Sequence, residues 1–545
     1  MRNGQVGAGN LVALARPLRV RYGIVLGVVL VAGWLTLGAG VSAASTTSVY
    51  YDANDNVSID HNPFGGIAPS GPYNSELGMD GLQQLSSGRD NTASGFQALS
   101  STTSGSYNVA DGLAALIANT TGSQNVATGP YALDRNTTGS ESVASGDHAL
   151  FFNTTGSFNV ANGDFSLYSN TGGTENIASG DHALYSNTTG SYNVASGDEA
   201  LNANTSGDDN VANGYFALVS NTTGSDNIAN GLDPLYHNTT GHDNIANGYF
   251  ALVSNSSGAY NIANGVNALS SNTTGQDNIA SGDGALMSNT TGVDNIATGP
   301  FSLASNTTGH DDIATGSDAL EANTTGFDNL GSGSNALQED TTGSYDLAAG
   351  VNALQSNTTG TQNVATGTND LHADTTGSYN LADGVNALYD NRTGASNVAV
   401  GNSAGFNLTT GSNNIDIASK GVAGEAGKIR IGTPGTQTAA FLAGVSGVTI
   451  SGPTKTVVVD SSGQLGTAPA GSAPAARASR PTGVVSRQLG ALRAQVTRQA
   501  AKLRAQAAEL RQLHQLIGDH QRIQQLAAEI AQLRQPLPGG SSAKP

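Results

Sequence analysis

Seven aspartates share one place in a 17-residue spacing: Asp209, Asp226, Asp243, Asp277, Asp294, Asp311 and Asp328, interrupted once by Tyr260. If successive units stack at the distance of paired strands, their carboxylates form a column with a step of about 4.8 Å. Unit charges at that step repel by about 0.9 kcal/mol per neighbour in bulk water, and by more beside a low-dielectric surface. Calcium bridging adjacent rungs would relieve the repulsion, since its ligands are oxygens; solvation and salt screening are the other outcome. Calcium is therefore the one cofactor the sequence offers, although the glycine-rich nonapeptide of calcium-binding β-rolls is absent. A second, shorter column holds Asp147, Asp164, Asp181 and Asp198.

The remaining chemistry-bearing residues form no constellation. His148 and His182 stand two periods apart, about 9.6 Å in a stack, which is too far for one metal ion. Ser, Thr and Asp are so abundant that a triad-like approach carries no information. There is no cysteine, which excludes disulfides, thiolate catalysis and cysteine zinc sites. No catalytic residue is expected, and the chain does not read as an enzyme. The recurrent Asn-Thr-Thr-Gly runs match the glycosylation triplet, but glycans on rungs about 4.8 Å apart would collide. The triplets read as turns.

These residues are positioned by an unbroken repeat. From Asn91 to Asn414 the chain returns to itself every 17 residues with the consensus N-[VI]-A-x-G-x-x-A-L-x-x-N-T-T-G-x-x. With Asn108 as position 1, Gly occupies position 5 from Gly95 to Gly401 and position 15 from Gly88 to Gly411. So short and strict a period is that of a solenoid, one coil per unit. Two glycines per unit and no 3.6-residue stripe exclude a helix. Each coil is expected to hold two strands of about four residues, around Asn-Val-Ala and Ala-Leu. One corner falls at the position-5 glycine, the other at Asn-Thr-Thr-Gly, whose Gly would take a positive φ. The Asn column 119, 136, 153, 170 and onward can pass amide hydrogen bonds from rung to rung. Val or Ile at position 2, Ala at 3 and 8 and Leu at 9 make a thin apolar strip, expected to complete itself against copies of the chain.

Charge is uneven along the chain. The total of −19 conceals 30 acidic residues against Arg89, Arg135 and Arg392 between 88 and 414, and ten basic against three acidic residues between 477 and 534. An acidic shaft excludes nucleic acid as a partner. At the N-terminus, Arg2, Arg16, Arg19 and Arg21 precede the apolar run Gly23–Leu37, and Val41-Ser42-Ala43 supplies a cleavage site. Residues 1–44 thus read as a signal peptide, or as a signal anchor if uncleaved, the only membrane contact expected. Either way Ser45 onward is secreted or on the cell surface.

The last units, Asn397-Val-Ala-Val-Gly-Asn-Ser-Ala-Gly405 and Leu408-Thr-Thr-Gly-Ser-Asn-Asn414, resemble the repeats of bacterial and phage fibre proteins. They also resemble the head repeats of trimeric autotransporter adhesins. The stretch Gly427–Gly444 with Val457–Gly466 resembles the β-rich segment that joins such repeats to a C-terminal chaperone domain. The resemblance covers roughly residues 88 to 466 and implies a trimer of narrow β-rolls joined to coiled-coil stalks. The chain departs from it at position 4, usually polar here, and in lacking both the membrane strands and the chaperone domain. After an Ala/Pro/Ser linker, 467–483, come Val485, Leu489, Leu492, Val496, Leu503, Leu510, Leu513 and Ile517 at heptad-like spacing, with Gln499 and Gln506 as polar layers. This predicts a coiled coil over 484–535, a lone amphipathic helix folded back on the shaft being the alternative.

The expected fold is all-β: a β-solenoid (parallel β-roll) of about 20 coils over 88–418, with a C-terminal α-helical coiled coil, assembled as a homotrimer. Residues 45–87 would cap it, 419–466 form a β-rich connector, and 536–545 a tail. The expected function is that of an adhesin-like fibre, attaching multivalently to a host-cell, matrix or carbohydrate surface. Tyr107, Tyr192, Tyr260, Tyr345 and Tyr379, at position 17, are candidate contact aromatics. A structural spacer or tail-fibre-like protein without its own ligand is the alternative. An ice-binding solenoid with Thr ladders at positions 13 and 14 is a third reading.

Overall fold

The computed structural model describes residues 49–442 apart from 61 and 67, 457–467 apart from 462, and the single residue 499. The expected signal segment, most of the linker, the heptad segment other than Gln499, and the tail lie outside the described residues.

The repeat is a parallel β-solenoid of about 22 turns. Strand β1 (Tyr50–Tyr51) pairs antiparallel with β2 (Val57–Ile59), which pairs in parallel with β3 (Ser75–Leu77). From β4 (Thr92–Ser94) to β23 (Ile415–Ile417) each unit adds one three-residue strand, and β24 (Ile429–Ile431) ends the sheet of 24 strands. Register is exact to the repeat: Val211 pairs with Ile228, Ala212 with Ala229, Asn213 with Asn230. The stack thus reaches beyond 88–418 on both sides, by the rungs β2 and β3 before it and β24 after it. Further on, β25 (Val457–Val459) and β26 (Leu465–Thr467) form an antiparallel hairpin.

The coil has one strand, not two. Ala115 and Leu116, at positions 8 and 9, are both fully buried, and consecutive inward residues are incompatible with the period of two of a strand. The chain instead alternates the sign of φ. Residues at position 7 and the leucines at position 9 lie in the left-handed region, the leucines between 51° and 56°. A left-handed residue other than Gly costs about 1–2 kcal/mol, which the fully buried Leu, worth about 2 kcal/mol, offsets. This side still bonds coil to coil: the His148 N–H donates to the Pro130 carbonyl of the preceding coil (3.0 Å) and the Leu150 N–H to the Ser166 carbonyl of the next (2.9 Å).

The glycines also divide their roles differently from expectation. Those at position 5 have the positive φ, as at Gly112 (152°) and Gly248 (141°), Gly367 and Gly384 excepted. Those at position 15 do not. They are glycine because a Cβ at Gly258 would come under 3.0 Å from the Gly275 carbonyl and from the Asn255 side chain.

The interior closes within one chain. Ala at position 3, Ala at position 8 and Leu at position 9 are sealed from solvent almost throughout, so completion by another copy, inferred from the thin apolar strip, is not needed. Volume is made up by amides. In one column, at position 12, Asn255 Nδ2 donates to Asn238 Oδ1 (2.8 Å) and to the Gly258 carbonyl (3.0 Å). In the other, at position 1, Asn244 donates from its backbone N–H and from Nδ2 to Asn227 Oδ1 (both 3.1 Å), and Nδ2 also reaches the Gly258 carbonyl (2.8 Å). Both columns thus meet on one glycine carbonyl in these coils, and the buried amides are satisfied in the way a low-dielectric interior demands, Asn391 Oδ1 excepted. Seating Asn inward at position 1 forces position 2 outward by strand alternation. The Val/Ile column, read from sequence as core, is half-buried or exposed except at Ile296 and Val398.

Candidate functional surface

The position-17 aspartates do fall in one column beside the sheet. Each takes a left-handed φ, as at Asp209 (56°) and Asp328 (58°), and the Asp226 N–H donates to the carbonyl of Asp208 in the preceding coil (3.0 Å). Within it, Asp277 is pushed up by burial and by Asp294. His242 and His310 each bond the next aspartate, Nδ1 lying 2.9 Å from Asp243 Oδ2 and 3.0 Å from Asp311 Oδ2. Among the described residues no three of His, Cys, Asp or Glu come together so as to hold a metal ion. The structure aligns Asp209, Asp226, Asp243, Asp277, Asp294, Asp311 and Asp328 without gathering them into a coordination shell.

The shorter column at position 6 serves the backbone. Asp164 Oδ1 accepts the Asp147 N–H of the preceding coil (3.0 Å). Asp147 and Asp181 hold the imidazoles of His148 and His182 at 2.8 and 3.0 Å.

Between those two histidines the structure adds what the sequence reading missed. Tyr131, His148, Phe165 and His182 stack in one column at centroid distances of 4.9, 5.1 and 5.2 Å. Beside it Phe151, Tyr168 and Tyr185 stack at 5.4 and 5.0 Å, and farther along His372, Tyr389 and Phe406 do so at 4.9 and 5.3 Å. The step of the coil matches the thickness of offset-stacked rings. Ring faces within these columns are taken up by one another, so only edges and hydroxyls remain for a partner. By contrast the position-17 tyrosines, Tyr107, Tyr192, Tyr260, Tyr345 and Tyr379, are all exposed.

The turn column is spoken for. Asn at position 12 is fully buried and held in its ladder, so the Asn-Thr-Thr-Gly triplets present no accessible amide, and Asn407 of Asn407-Leu408-Thr409 is an exposed exception. Thr239 and Thr273 at position 13 donate Oγ1 to carbonyls of the next coil (2.9 and 3.0 Å), while the Thr and Ser residues at position 14 are exposed.

Five carboxyls sit inside the stack between Asp312 and Asp374. Asp312 and Asp346 replace Asn at position 1, Asp340 and Asp374 replace Asn at position 12, and Asp370 replaces Ala at position 8; all are buried. Loss of water pushes Asp340 up to about 8, Asp374 to about 7 and Asp370 to about 6, and holds Asp312 and Asp346 well above the usual carboxylate range. Their signal was legible as departures from the Asn consensus, but only once the Asn columns are known to be interior.

No family model matches this chain, and no curated protein matches it.

Proposed function

We propose that the chain is an extracellular or cell-surface fibrous protein whose repetitive stack attaches multivalently, in the manner of an adhesin. The observation that supports this reading is the position-17 column: five exposed tyrosines and seven aspartates repeated on one side of a stack laced by two ladders of amide hydrogen bonds. Regular spacing on a stiff support multiplies weak contacts by avidity. Amphipathic Tyr rings beside carboxylates suit hydroxyl-rich surfaces such as carbohydrate. Trimerisation is proposed through the heptad segment 484–535 rather than the shaft, because the shaft's apolar interior is already closed.

Adhesion is tested by binding of the full chain to matrix- and glycan-coated surfaces. Replacing Tyr107, Tyr192, Tyr260, Tyr345 and Tyr379 singly by Ser is expected to weaken binding slightly, and replacing all five to lower avidity by about 100-fold or more. If deleting the solenoid leaves binding unchanged, the stack is a spacer without its own ligand, the second reading. Light scattering on the full chain and on a variant lacking 484–535 tests the trimer; a stable full-length monomer refutes it.

A further inference from the structure

The two amide columns carry no carboxyl from Asn91 to Asn306, then four within 63 residues. An Asn side chain gives each rung two N–H donors, one to the neighbouring amide and one to a glycine carbonyl, and one acceptor oxygen, whereas an ionised Asp accepts only. The ladder is therefore interrupted at each of these aspartates. Asp340 cannot donate to Asn323 Oδ1, which accepts the Gly326 N–H instead (3.0 Å). Asp340 Oδ1 accepts from the Gly343 N–H (3.0 Å) and Asn357 Nδ2 (3.1 Å), while its Oδ2 is buried without a hydrogen bond. Asp346 Oδ2 accepts from the same Asn357 Nδ2 (3.2 Å), and its Oδ1 from the Asn363 N–H (2.7 Å). Asp312 accepts from Asn323 Nδ2 and the Asn329 N–H (both 2.9 Å). Asp374 accepts from the Gly377 N–H (2.8 Å) and Asn380 Nδ2 (3.1 Å).

The charged groups facing these carboxyls are other carboxyls. Asp312 senses Asp340, Asp346 senses both Asp340 and Asp374, and Asp370 senses Asp383. Among the described residues no cation answers them. In this stretch His310 pairs with Asp311 on the outside, His372 stacks on Tyr389, and Arg392 is exposed. Amides and backbone N–H groups supply every partner described above. A protonated carboxyl regains one of the two donors that Asn contributes to the column and keeps its acceptor; an ionised one in the same place leaves charge in the interior.

We propose that the coils from Asp312 to Asn391 are a pH-gated segment of the stack, closed while these buried carboxyls hold protons and loosened when they lose them, beside amide-only coils that do not respond. The folded segment keeps its protons far above the ordinary carboxylate pKa of 3.8, with Asp370 at about 6, Asp374 at about 7 and Asp340 at about 8. The unfolded chain binds fewer protons throughout that interval, so stability is full below the ordinary value and falls as pH rises through the folded ones. The gate therefore opens across neutrality, on the alkaline side.

Hydrogen exchange of the full chain, corrected for the intrinsic pH dependence of exchange, compares peptides of the segment with those from Asn210 to Asn306. Between about pH 6 and about pH 9, protection in the segment is expected to fall by about 100-fold or more relative to the amide-only coils. The variant D312N/D340N/D346N/D374N is expected to abolish that difference. Conversely, Asn255→Asp is expected to create local pH dependence where the parent has none, which keeps the idea testable if the fourfold variant fails to fold. Equal protection of both regions across the range, a fourfold variant that keeps the response, or an Asn255→Asp coil that stays indifferent to pH overturns the proposal.

Discussion

Truncating one amide of the position-12 column measures how much of the stack rests on hydrogen bonds rather than apolar burial. Asn255→Ala removes the bonds from Nδ2 to Asn238 Oδ1 (2.8 Å) and to the Gly258 carbonyl (3.0 Å), and the one Oδ1 accepts from Asn272 Nδ2 (2.9 Å). Two of the groups left behind keep a partner. The Gly258 carbonyl still accepts from Asn244 Nδ2 (2.8 Å), and Asn272 Nδ2 still reaches the Gly275 carbonyl (3.1 Å). Asn238 Oδ1 loses its rung partner inside a sealed interior. Three neutral bonds at about 1 kcal/mol each, plus about 1–2 kcal/mol for the stranded oxygen, give a loss of about 4–5 kcal/mol. Asn238→Ala disrupts the same junction from the other side. Combined with Asn255→Ala it removes the shared bond only once and takes the stranded oxygen away, so the pair should cost about 2 kcal/mol less than the sum. Long repeat arrays do not unfold in two states, so the assay is residue-resolved hydrogen exchange. The loss should be confined to the coils flanking the substitution, as nearest-neighbour coupling requires. Strict additivity, or a single-variant cost under about 1 kcal/mol, would refute the reasoning and return stability to Ala and Leu packing.

Other substitutions probe the backbone. Gly258→Ala sets a methyl against the Gly275 carbonyl and the Asn255 side chain and should cost more than about 3 kcal/mol. Gly172→Ala meets only Thr155 Oγ1, at 3.6 Å, and should be neutral or stabilising by up to about 1 kcal/mol; thermal melts of the two variants side by side check both. Glu199, half-buried at position 7 with φ 54°, occupies a place where Gly284 stands in its own coil. Glu199→Gly should therefore raise stability by about 1 kcal/mol, and a loss of that size would show that side chains at position 7 hold the turn. Leu252→Ala should cost about 2–5 kcal/mol, again within the neighbouring coils by hydrogen exchange.

Much of this arrangement is legible in the sequence, and what is not has identifiable causes. The period and the Asn column from Asn119 follow from spacing, because identical residues one coil apart must stack. The second amide column, at position 1, is equally regular, yet its inward direction depends on strand parity. Parity places Ala110 inside and the larger Val109 outside, against the rule that β-branched residues mark the core. The side holding Ala115 and Leu116 could have been recognised as non-strand, since two adjacent apolar residues recur there without alternation. The aromatic columns were invisible because positions 7 and 10 vary in residue type. Tyr131, His148 and Phe165 share a flat ring, not an identity, and only the coil's step makes them one stack. For the candidate surface, spacing placed the aspartates in line correctly, but the number of oxygens that can converge on one point depends on side-chain directions the repeat does not encode.

A stack of identical rungs has the further problem of stopping. Each coil is a template for the next, and an open end of a parallel sheet invites another chain. Here the position-3 column, Ala through most of its length, turns polar at both ends. It reads Ser58 and Glu76 before Ala93, and Asp416 and Arg430 after Ala399. Burial pushes Glu76 up to about 7 and Asp416 up to about 6, so each sets a costly buried carboxyl where the column otherwise packs Ala on Ala. Arg430 is held instead by Glu425, through Nε at 2.8 Å and Nη2 at 2.7 Å. At the other end, β1 runs antiparallel across β2 and breaks the register a copy would need, while Phe64 closes the interior beneath Tyr50 with ring centroids 6.1 Å apart. Terminal coils with such features are the capping repeats that keep solenoids from joining end to end.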